Sequence, residues 1–169
     1  MKAFFRQPVV WAVIGAVLTG LLIVGLVLML RPHSPVSDQL RKKVGFPILY
    51  PDPLDGYDLP PDTVTYDSGP GVLVLHAKKG KQDLTLSEQA TPDPFNDIPD
   101  YYPKFVEQLQ GYVTFDTPMG KVSLARPTQQ HGAQVAIFNG KGTLMFVKPS
   151  KELSENEWRA FFAELVIDK

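Results

Sequence analysis

Val72-Leu73-Val74-Leu75-His76-Ala77-Lys78-Lys79-Gly80-Lys81-Gln82-Asp83-Leu84-Thr85-Leu86-Ser87-Glu88 decides the fold. The first four residues are a continuous apolar strand suited to the interior of a sheet. Lys78-Lys79-Gly80-Lys81 makes a turn. Asp83 to Glu88 then alternates, its leucines on one face and its polar residues on the other. Upstream, Thr63-Val64-Thr65-Tyr66 alternates as well and is joined to Val72 by the turn Ser68-Gly69-Pro70-Gly71. The three segments form an antiparallel meander.

Downstream, a Pro-rich acidic insertion from Thr91 to Asp100 leads into a short helix near Pro103 to Leu109. Hairpins then run through Tyr112–Asp116, Lys121–Arg126, Ala133–Phe138 and Thr143–Lys148, with the strongest turn signal at Asn139-Gly140 and Lys141-Gly142 able to lengthen it. Ser154-Glu155-Asn156-Glu157 matches a capping box, with Leu153 and Trp158 as its hydrophobic staple. Trp158, Phe161, Phe162, Leu165 and Val166 then form one helical stripe that must lie on the sheet. Phe46-Pro47-Ile48-Leu49-Tyr50-Pro51 is an apolar segment whose prolines suit an edge strand or polyproline II. The fold class is therefore α+β: an N-terminal membrane helix, then one mostly antiparallel sheet of six or seven strands carrying a C-terminal helix.

The membrane helix is read at the other end of the chain. Gln7 to Leu30 contains no ionisable side chain, and the 22 residues from Val9 reach across a bilayer core at about 1.5 Å per residue. The run is longer than a secretory h-region and lacks a small-x-small cleavage pattern near Leu30. The organisation is thus a basic tail (1–8), a transmembrane helix (9–30), a linker (31–45) and a domain (46–169). Lys2 and Arg6 before the span compete with Arg31, Arg41, Lys42 and Lys43 after it. A first helix behind a short basic N-terminus behaves as a signal anchor, which places the domain outside the cytoplasmic membrane. Ala12, Ala16 and Gly20 align small side chains on one helical face, the pattern that permits close helix–helix contact and a homodimer.

The chain has 17 Lys plus Arg and 18 Asp plus Glu, a net charge of −1. Six of the cations and one anion precede Val44, which leaves 11 and 17 and a domain charge of −6. Such a surface argues against nucleic acid as a partner. There is no cysteine.

The order of pieces resembles a bacterial domain-of-unknown-function family. The residues that carry the likeness are Phe46-Pro47-Ile48-Leu49-Tyr50-Pro51 with Leu54-x-Gly56-Tyr57, Leu84-Thr85-Leu86-Ser87-Glu88-Gln89, and Leu153-Ser154-x-x-Glu157-Trp158, over residues 46–166. The resemblance implies a small extracytoplasmic domain of the cell envelope, often behind one membrane helix and similar to domains near anti-sigma-factor-like and lipoprotein-carrier-like proteins. It transfers no catalytic residue. Where such domains often carry a tryptophan in the penultimate hairpin, this chain has Gln134-Val135-Ala136-Ile137-Phe138.

Chemistry is sparse. His33, His76 and His131 are not at metal-ligand spacing, and the serine-hydrolase and phosphate-loop signatures are absent. Asp52, Asp55, Asp58 and Asp62, and Asp93, Asp97 and Asp100, do not match a calcium loop and read as solvated loop carboxylates. Tyr57, Phe95, Tyr101, Tyr102 and Phe105 either line a ligand groove or join the core. The sequence therefore points to a non-enzymatic module without cofactor or metal, anchored in the lipid bilayer and binding an envelope protein or peptide. The alternative is a carrier of a lipid or other hydrophobic ligand, which requires a large apolar pocket beneath the Trp158 helix.

Overall fold

Seven strands run antiparallel in one sheet, built from two meanders laid side by side. The computed structural model describes residues 34–168. The tail 1–8, the anchor expected over 9–30 and its positions Ala12, Ala16 and Gly20 lie outside the described residues. No helix among the described residues is long and apolar enough to cross a membrane.

The first meander is β2 (Thr65–Asp67), β3 (Val72–Lys79) and β4 (Gln82–Ala90). The tight turn between β3 and β4 places its positive φ on Gly80, the residue type that accepts it. Two short helices follow, α2 (Asp93–Asp97) and α3 (Tyr101–Gln108). The chain then enters the far edge of the sheet as β5 (Gly111–Asp116) and returns through β6 (Lys121–Ala125), β7 (Val135–Gly140) and β8 (Thr143–Pro149) to pair with β4. The last hairpin corrects the expected turn: Gly140 pairs with Thr143, and the bend falls on Lys141-Gly142, at φ 57° and 84°. Gly140 serves a different purpose. A Cβ there would sit 2.8 Å from the Met119 carbonyl oxygen, so glycine permits the 117–120 turn to approach β7.

One face of the sheet is closed by α4 (Glu155–Ala163). Its capping box forms as expected: the Ser154 hydroxyl accepts from the Glu157 amide, and the Glu157 carboxylate accepts from the Ser154 amide at 2.7 Å. Trp158, Phe161 and Phe162 are buried, and Phe162 stacks on Phe138 of β7 with ring centroids 5.9 Å apart. The helix stops earlier than its stripe suggested. Leu165 and Val166 belong to a strand, β9 (Leu165–Asp168), which pairs antiparallel with β1 (Ile48–Pro51) in a separate two-stranded sheet. Pro51 has no N–H to donate, which suits a strand with a single partner, and the β-branched Val166 and Ile167 supply that partner.

Residues 34–45, read from the sequence as linker, fold onto this unit. Ser37 caps α1 (Asp38–Arg41), and Val36 and Val44 are buried in the main core. Asp168 holds the segment to β9, accepting from the Ser34 hydroxyl and pairing with the Arg41 guanidinium at 2.9 Å.

The opposite face carries a second, smaller core. Val106 of α3 packs there with Ala125, Val135, Ile137 and Leu144, and Phe95, Tyr102, Phe105 and Phe146 cover them.

Candidate functional site

Four of the five aromatic residues considered for a groove meet on the α2–α3 side. The Phe95 ring lies 5.4 Å from Tyr101, 5.6 Å from Tyr102 and 5.2 Å from Phe105, and Phe105 meets Phe146 edge-on. Tyr57 is elsewhere, packed against Phe161 beneath the Lys79 ammonium, and burial next to Glu164 raises its hydroxyl pKa. The inner part of the cluster is core, whereas Tyr101 and its neighbour Ile98 stay exposed.

Beside this cluster a cleft of about 520 Å³ opens between α3 and the sheet edge. Tyr102, Val106 and Glu107 form the helical wall, Tyr112 and Thr114 of β5 the opposite one, and Ser123 of β6 the floor. Two backbone features create it. Gln110 ends α3 in the left-handed region at φ 57°, which turns the chain sharply into β5. Gly111 then crosses the helix so closely that a Cβ would come 2.4 Å from Val106 Cγ1. A bulge between Gly111 and Val113 follows, and Tyr112 is the extra residue. Its hydroxyl accepts from the Gln134 amide at 2.9 Å, and its ring stacks under Arg126.

The floor is a set of hydroxyls. Thr114 and Ser123 share a hydrogen bond of 3.0 Å, and Tyr102 donates to the Ile137 carbonyl at 3.2 Å. Burial raises the Tyr102 pKa, and its contact with Ser123 offsets part of that shift. Among the described residues no histidine or carboxylate joins these hydroxyls by a hydrogen bond. A second cleft of similar volume is lined by Thr63, His76, Ala77, Lys78, Asp83 and Leu84, of which Lys78 and Asp83 form an ion pair at 3.9 Å.

His76 is exposed on β3 and faces Thr85, while His131 occupies a left-handed turn position. Among the described residues no three His, Asp or Glu side chains could hold a metal ion. Asp52 and Asp67 accept from the backbone amides of their own turns.

The sequence reading overlooked Glu88. It is fully buried on the core face of β4, in a cross-strand row with Leu73 and Met145. One carboxyl oxygen accepts from the Leu49 amide of β1 at 3.1 Å, and the other has no partner. Burial pushes its pKa well above the usual carboxylate range, and the Leu49 bond opposes this more weakly. The signal was present: Glu88 is in phase with Leu84 and Leu86.

Comparison with family models, with curated proteins and with solved structures gave no match.

Proposed function

We propose that the chain is a single-pass membrane protein whose domain, on the outer side of the cytoplasmic membrane, is a non-enzymatic module that binds a protein or peptide partner in the α3–β5 cleft. The observation that carries this reading is the coincidence of a part-apolar cleft with the terminal strand of the sheet, which among the described residues has a neighbour on one side only. Sheet edges and adjoining grooves are recurrent peptide-docking surfaces because backbone groups supply affinity and pockets supply selectivity. The anchor over 9–30 and the extracytoplasmic location rest on the hydropathy and flanking charges of the sequence.

The carrier alternative needs a cavity between sheet and α4. The centre of that space is filled by Trp158, Phe161 and Phe162 against Phe138 and Leu86, all of them buried; the pocket left at its margin, among Tyr57, Leu84 and Phe161 and beside Lys79 and Glu164, is about 270 Å³, half the volume of the α3–β5 cleft. The binding-module reading is preferred on that ground.

Replacing Tyr112 by a photo-crosslinking residue in the membrane-embedded protein tests the reading, with exposed Leu54, remote from the cleft lining, as control. Adducts to a defined partner are expected from position 112 and not from 54. Equal capture at both, or none at 112, would remove the cleft from consideration.

A further inference from the structure

Building on this cleft reading, we propose that the occupant is an extended, cationic polypeptide segment of a partner protein, added to β5 as an additional strand with its side chains alternating against α3. Three observations converge on it.

The first is the phase of the β5–β6 ladder. Thr117 and Gly120 exchange both backbone hydrogen bonds, at 2.9 and 3.2 Å, and the register pairs Phe115 with Val122 and Val113 with Leu124. Antiparallel pairs alternate between bonded and non-bonded, so Phe115 and Val113 spend their N–H and C=O groups on β6. The N–H and C=O of Thr114 and Asp116 therefore point away from the sheet. A strand laid alongside would satisfy these groups without disturbing any existing bond.

The second is that this edge lacks the usual protection. Strand edges are normally blunted by lysine, proline or extreme shortness. The opposite edge, β2, has three residues between Pro60-Pro61 and Pro70. β5 has six, with neither Lys nor Pro among them, and only the bulge at its start limits pairing.

The third is charge. Residues 93–108 carry exposed Asp93, Asp97, Asp100 and Glu107 against one cation, Lys104, and none of the five takes part in an ion pair among the described residues. On the sheet side Lys121 is neutralised by Asp116 at 2.9 Å. Of the two charged side chains that line the cleft, Lys121 is thus paired and Glu107 is not, so the lining is left with one uncompensated carboxylate, while Asp93, Asp97 and Asp100 lie on the same segment outside the lining and Val106 and Tyr102 keep the wall apolar. A segment that alternates Lys or Arg with apolar residues matches both properties.

The test uses the full chain in neutral detergent micelles and a fluorescent alternating Lys-Val peptide, followed by anisotropy. The Lys-Val peptide should bind, weaken more than about tenfold as salt rises from about 50 to about 300 mM, and be discriminated against an alternating Glu-Val peptide. Thr114→Pro should abolish binding, because it removes an outward N–H that β6 does not use. A Lys-Val peptide N-methylated at alternate residues tests the same bonds without altering the protein, and it should fail as well. Equal binding of Glu-Val, or full binding of the N-methylated peptide, overturns the inference. If Lys-Val fails while position 112 still crosslinks its partner in cells, the cleft reading stands and the cationic strand does not; loss of that crosslink sinks the cleft reading itself.

Discussion

Glu88→Gln should make the domain more stable at neutral and alkaline pH and remove a pH dependence that the native domain carries. In the folded state the carboxyl is sealed among Leu73, Met145 and the β1 strand, with one oxygen on the Leu49 amide and the other unpartnered. Burial is the dominant cause of its raised pKa. The unfolded chain has an ordinary glutamate, so folding takes up a proton at every pH between the unfolded and folded values. The sign follows: the contribution of Glu88 is fully present below about pH 4.5 and is lost as pH rises toward the folded pKa, at up to about 1.4 kcal/mol per pH unit. Glutamine keeps an oxygen for the Leu49 amide and does not titrate. Its NH2 inherits the unpartnered position, which costs about 1–3 kcal/mol relative to a satisfied group, much as the protonated carboxyl already does. Variant and native domain should therefore be nearly equal in acid and diverge upward from about pH 4.5. Urea unfolding of a fragment beginning at Ser34, run at a series of pH values, measures the difference, and other titrating groups cancel between the two proteins. A difference that stays flat with pH would mean that Glu88 is not held neutral in the fold.

Phe161→Ala removes a buried ring that packs on Tyr57, Trp158 and Phe162, and it should cost about 3–5 kcal/mol in the same urea assay. Gly140→Ala places a methyl against the Met119 carbonyl and the Phe138 ring, an expected loss of about 1–3 kcal/mol; Gly45→Ala, whose Cβ would meet open space, is the neutral control. If the anchor proposed over 9–30 pairs through its small-residue face, Ala16→Leu with Gly20→Leu should abolish crosslinked dimers while membrane insertion persists, since leucine suits lipid but not close helix contact; no dimer in the native protein, or an unchanged yield, would deny that face any associative role.

β3 and β4 were legible because one side of each is buried and period two survives in the letters: Leu73, Leu75 and Ala77 alternate with exposed or half-exposed neighbours, as do Leu84 and Leu86, whereas β6, β7 and β8, buried on both faces, read as apolar runs between turns. Where two periods fit the same residues, tertiary partners decided. Leu165 and Val166 continue the α4 stripe at i+7 and i+8, yet they also suit a strand, and the apolar β1 needed one. The Asn139-Gly140 turn failed for a similar reason: Lys141-Gly142 adopts the two positive φ angles, and Gly140 is required for close approach. Of the candidate groove, the aromatic residues were visible but their faces were not, because Tyr57 and Tyr102 are assigned to opposite sides of the sheet only by the strand order. The cleft had almost no local signature, since it depends on Gly111 passing Val106, a contact that only the fold brings about.

The two faces of the sheet differ in how much they bury. The α4 face, with β1 and β9 added, is a core of twenty-three buried side chains, whereas the α3 face has five. Burial supplies most of the resistance to local opening, so α2, α3 and the β5 edge lie at the low end of the stability range and α4 with β4, β7 and β8 at the high end. A ligand that orders the α3–β5 side can thus do so without straining the main core. It follows that amides of α3 and β5 should exchange with solvent faster than those of β7 and β8, and that a bound strand should slow the first group alone. If binding instead protected β1 or α4, the coupling would run through Glu88 and the Leu49 amide, which link β4 to β1.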